Sequence, residues 1–124
     1  MGKGLSELPR IDAPLADTHA HLDMLDDPSG ALERAAMIGM SYVATVVDVT
    51  EAPDGTFGLL GSWLEEAQSR LDEWGLPGTS VPDVGIVVGV HPHNAKNFDD
   101  AIAARFARFI DDDRVVAIGE IGLD

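Results

Sequence analysis

The run "SYVATVVDV" at residues 41–49 decides how the rest of this chain is to be read. It is apolar and β-branched almost throughout, the pattern of a strand covered on both faces rather than of one with a wet side. A second run of the same kind, "VGIVVGV", lies at 84–90, a shorter one follows within "RVVAIGEIGLD" at about 114–119, and "PLADTH" places a short strand at 15–19. Helical patterns fall between them. Asp27 as N-cap and Pro28 at the first helical position open one helix, with Leu32, Ala35 and Ala36 as its buried stripe and Gly39 as its end. Over 58–74, Leu60, Trp63, Leu64, Ala67, Leu71 and Trp74 recur at helical spacing, with Gly75 and Pro77 as stop signals. The stretch "NFDDAIAARFARFIDD" sets Phe98, Ile102, Phe106, Phe109 and Ile110 on one side of a third helix, and the Trp and Phe positions read as core. Four strands alternating with three helices predict an α/β fold of parallel βαβ units.

Composition bounds the chemistry. A length of 124 residues suits one domain, and 45% hydrophobic residues suffice for a core. The apolar runs are too short to span a bilayer, and the opening "MGKGLSELPRIDAP" lacks a signal-peptide core, so the expected location is cytoplasmic with no membrane partner. With no cysteine, a metal would have to be held by His, Asp and Glu. A net charge of −14 argues against a broad basic nucleic-acid footprint, although a bound divalent cation can reverse the local field.

The reactive residues share a position. His19 and His21 follow the first strand, Asp48 ends the second, His91 and His93 follow the third, and Glu120 follows the fourth. Each falls at a strand's C-terminal end, where parallel α/β sheets bind ligands. In extended chain, residues i and i+2 share a face, so both imidazoles of "HAH" can reach one cation. Imidazole and carboxylate suit first-row divalent ions, and a glutamate offers two oxygens for bridging. Plainer readings exist for each. An isolated H-x-H is often structural, His91 and His93 in "HPH" could be loop histidines bonded to backbone, Asp48 could cap a loop, and Glu120 alone could be solvated.

Taken in order, "DTHAHLD", "GVHPHN" and "AIGEIGLD" resemble the TatD family of metal-dependent deoxyribonucleases, among the amidohydrolase-like (β/α)8 barrels, over residues 16–124. The resemblance implies that His19 and His21 bind a first divalent metal and that Glu120, as catalytic and bridging ligand, joins it to a second. Asp23, His91 and His93 match positions near the active site, beside substrate or behind the ligands. Two ions, Mg, Mn or Zn, and hydrolysis of DNA phosphodiesters by water activation are implied for the complete enzyme. Such a barrel takes about 250 residues. The expectation is therefore the first half of a TIM-type barrel at 15–124 after a flexible lead at 1–14, without the family's later ligands, and able to self-associate through open edges. A non-catalytic fragment or interaction module, or a hydrolase of small phosphoesters or amides, are the alternatives.

Overall fold

The computed structural model describes residues 11–122 except Pro77. Residues 1–10 of the expected lead, the Pro77 stop signal and the last two residues lie outside the described part. The elements run β1 (Leu15–Ala20), α1 (Pro28–Met37), β2 (Met40–Asp48), α2 (Pro53–Glu73), β3 (Asp83–Gly89), α3 (Asp100–Ile110) and β4 (Val115–Ile118). Short 3-10 turns at Leu22–Met24 and Pro92–Asn97 follow β1 and β3. The four strands form one parallel sheet in the order β1-β2-β3-β4. This is the expected βαβαβαβ arrangement.

Burial falls away from the centre of the sheet. Val43, Ala44, Thr45, Val46 and Val47 are consecutive and all buried, so β2 is covered on both faces as its unbroken apolar run requires. Helices cover one face, where Leu32 of α1 and Leu60 and Ala67 of α2 pack with Val47, Ile86 and Val88. On the opposite face the side chains of Tyr42 and Val116 close over Gly85. A Cβ added at Gly85 would collide with the Tyr42 hydroxyl and lie 2.8 Å from a Val116 methyl. The outer strands are open by contrast, with Val116 56% and Ile118 53% exposed on β4.

Several boundaries and faces differ from expectation. α2 starts at Pro53 rather than 58, with proline in its first turn and a buried series Pro53, Thr56, Leu60, Ala67 and Leu71. Gly55 and Gly58, poor helix formers, mask that start in the sequence. Trp74 is not core. It stands one residue past the helix, is 68% exposed, and donates its indole N–H to Glu33 Oε1 at 3.0 Å. Phe98 is also exposed, because the chain there is extended and α3 opens only after Asp99, whose carboxylate accepts from Ile102 N. Leu32 and Ala36 of the α1 stripe are buried and Ala35 is half-buried. Asp27 caps α1 as expected, accepting from Gly30 N at 3.0 Å. Among the described residues, no helix is long and apolar enough to cross a membrane.

Arg114 ties the start of β4 to α2. Its guanidinium donates to both Asp112 oxygens at 2.9 Å and to the Phe57 carbonyl at 3.0 Å. Those hydrogen bonds hold the Asp112 carboxyl down from its ordinary 3.8 to about 2. A depressed folded-state pKa contributes stability that is complete above 3.8 and is lost as pH falls through about 2. The variant Asp112→Asn should therefore be less stable at neutral pH and lose less of its remaining stability on acidification across that window, as read by denaturant midpoints against pH.

Candidate metal centre

β1 delivers its histidines in two steps. His19 is still in the strand, held where its backbone N–H meets Asp17 Oδ1 at 3.0 Å, and His21 begins the 3-10 turn. Leu22 then anchors that turn: its side chain is buried, and its N–H donates to the buried Thr45 Oγ1 of β2 at 3.1 Å. The two imidazoles consequently stay on one side of the chain, with ring centroids 5.2 Å apart and edge to face.

Glu120 arrives from the other edge of the sheet, just past β4. Gly119 N donates to Val88 O at 2.9 Å, which brings the end of β4 hard against β3. The approach depends on Gly89, where an added Cβ would collide with the Gly119 carbonyl and lie 2.7 Å from the Glu120 carbonyl oxygen. Glu120 Oε2 thereby reaches 3.5 Å from His19 Nε2, and ligating atoms of His19, His21 and Glu120 all lie within 4.8 Å of one another. Donors around a tetrahedral ion with bonds of about 2.1 Å stand roughly 3.4 Å apart. The set therefore matches a first-row divalent ion in chemistry, and small side-chain rotations would bring it to ligating distance.

His91 stands beside this cluster, and His93 packs on His91. His91 Nε2 stands 3.7 Å from Glu120 Oε1, whereas the exposed His93 ring stacks on His91 at 4.8 Å. Asp23 is exposed and, with His21, Asp48, His91 and Glu120, lines a cavity of about 50 Å³ beside the cluster. Asp48 caps the loops as its plainer reading held. Its Oδ1 accepts from Thr50 N and Oγ1, and its Oδ2 from His91 N and Asn94 Nδ2. Burial pushes its carboxyl pKa up, but the bonds from Thr50, Asn94 and His91 outweigh that and leave it below the ordinary value.

Residues 16–124 match the family model described as TatD related DNase. The chain belongs to the TatD-related DNase family. It is 32% identical over 115 residues to the uncharacterized metal-dependent hydrolase TatD of Mycobacterium tuberculosis, taking in 89% of this chain and 37% of that protein. It is 53% identical over 73 residues to the 3'-5' ssDNA/RNA exonuclease TatD of Pectobacterium carotovorum, which is 56% of this chain and 26% of the relative. The chain thus spans about a third or less of the length of these TatD relatives, 37% of one and 26% of the other. Its parallel βαβαβαβ sheet is consistent with part of a TatD TIM barrel.

Sequence reading passed over Gly89, Thr45 and Asn94. A glycine inside an otherwise apolar strand signals close backbone approach, and Gly89 carried that signal. The variant Gly89→Ala should lose about 1–3 kcal/mol of stability, the range for overpacking a close contact. Its largest amide shifts should fall at Gly119 and Glu120. Gly119→Ala, whose Cβ would meet only Val87 Cγ1 at 3.3 Å, should perturb both measurements less.

Proposed function

We propose that residues 15–124, after a lead at 1–14, form the N-terminal half of a TatD-type metallohydrolase barrel that cleaves phosphodiester bonds in DNA. The observation that carries this reading is the convergence of His19, His21 and Glu120 from opposite edges of one sheet. His19 and His21 would bind the first ion through imidazole nitrogens, and Glu120 would offer it one oxygen and keep the other for a second ion. When bound, divalent ions at such a site supply Lewis acidity toward phosphate and a nucleophile from water at neutral pH. Asp23, which lines the small cavity, and His93, exposed in the turn after β3, would contact the substrate strand. The relative from Pectobacterium bears the name of a single-strand exonuclease, which favours nucleic-acid ends as substrate.

Electrostatics support the same reading. The chain carries −14, and Arg70, Arg105 and Arg114 are engaged with protein carboxylates or carbonyls. Bound cations, rather than a basic surface, would neutralise the phosphate.

Calorimetric titration of the purified chain with Mn²⁺ or Zn²⁺ should show saturable binding that His19→Ala, His21→Ala and Glu120→Gln each weaken by tenfold or more. Strand cleavage, followed with end-labelled single-stranded DNA, should require the chain joined to the remaining length found in its relatives. Metal-dependent cleavage by the 124 residues alone would refute the half-site reading.

A second reading, self-association, is favoured by the exposed apolar residues of β4. Replacing Ile118 by Lys should then raise the monomer fraction in sedimentation velocity across a concentration series.

A further inference from the structure

Asp48 lies outside the His19, His21 and Glu120 cluster, yet four donors converge on it. Thr50 N and Oγ1 approach Oδ1 at 2.7 and 2.6 Å, and His91 N and Asn94 Nδ2 approach Oδ2 at 2.9 Å each. A carboxylate offers two acceptor oxygens and no donor, so it can satisfy all four. Asparagine in its place would turn an NH₂ group toward one of the two donor pairs.

The ring of His91 carries the second half of the argument. Its Nδ1 accepts a hydrogen bond from His93 N at 3.1 Å, which caps the 3-10 turn. A backbone N–H can only donate, so Nδ1 presents a lone pair and the proton of the neutral ring sits on Nε2. Nε2 is the atom that faces Glu120 Oε1 at 3.7 Å. A histidine that ligates a metal through one nitrogen directs an N–H from the other nitrogen at an acceptor. His91 shows the reverse arrangement. To ligate through Nε2 it would have to carry its proton on Nδ1, against the His93 N–H, and the cap of the turn would be lost.

We propose that Asp48 and His91 are positioning residues for Glu120, and that neither is a ligand. Asp48 seats the His91 backbone, the turn fixes the ring as the Nε2–H tautomer, and the ring so held stands beside Glu120 with Nε2 3.7 Å from Oε1, a polar wall rather than a hydrogen bond, while Oε2 stays turned toward His19. The functional value of this arrangement rests on the reading of Glu120 as a metal ligand, but the arrangement itself is a property of the ion-free chain.

Imidazole ¹⁵N spectra of the ion-free protein test it directly. The wild type should show His91 as a single Nε2–H tautomer, Asp48→Asn should give exchange between tautomers, and Thr50→Ala should leave the His91 signals in place. Thr50→Ala removes a donor to Asp48 on the side away from His91, so it serves as the control for a purely structural cap. In Mn²⁺ titrations Asp48→Asn should weaken binding by about tenfold, the low end of the range for partners behind the ligands, because it acts through His91. Thr50→Ala should lower the melting temperature and leave the affinity unchanged. An Nδ1–H tautomer in the wild type, or losses of affinity that simply track stability in both variants, would overturn the proposal. If the wild type binds no Mn²⁺, the metal reading fails, and the positioning arrangement then stands or falls on the imidazole spectra.

Discussion

Seven successive parallel pairs, from Tyr42 beside Asp83 to Asp48 beside Gly89, hold β2 against β3, and the candidate site hangs from the upper end of that ladder. The register puts a carboxylate next to a residue with no side chain. Asp48 can therefore reach across to the backbone of His91, while the space above Gly89 is left for the carbonyls of Gly119 and Glu120. A slip of one residue would turn every side chain of β2 to the other face. It would take Thr45 from Leu22 and Asp48 from His91 together, and both loops that carry histidines would lose their anchors. The ladder is buried on both faces through Val43–Val47, so the polar bonds of Thr45 and Asp48 are what distinguish its register from a slipped one.

Charge is distributed to match this division between scaffold and rim. The few basic side chains mostly serve the frame: Arg70 bridges Asp27, the N-cap of α1, and Glu66 on α2, and Arg114 joins Asp112 to the Phe57 carbonyl. These pairs are partly exposed and contribute modestly to stability. At the C-terminal rim, by contrast, carboxylates and imidazoles gather. A rim of that composition suits a divalent cation, which can be the largest local charge in an acidic chain.

Much of the architecture was legible in residue patterns. The β-branched runs at 41–49 and 84–90 correspond to β2 and β3 because strands buried on both faces need apolar side chains at every position. The Asp27–Pro28 start of α1 was legible because capping is a local hydrogen-bond rule. Trp74 and Phe98 misled, since helical spacing in the sequence runs one or two residues beyond the helix itself, past the end of α2 and ahead of the start of α3. The start of α2 was hidden because propensity disfavours Gly55 and Gly58, whereas packing of Pro53 and Thr56 against the core decides the matter.

By itself, then, the sequence determined the order of strands and helices, the placement of His19, His21, His91 and Glu120 at strand ends, and the family motifs, because periodicity, capping and i, i+2 geometry are local. Only the tertiary structure decided which of those residues meet. His19 and Glu120 lie on opposite edges of the sheet and about a hundred positions apart in the chain, and strand pairing with the close approach over Gly89 brings them to 3.5 Å. The separation of His91 from His93, and the role of Asp48 beneath them, were decided in the same way. A hydrogen bond between neighbouring loops depends on register, which no single stretch of sequence contains.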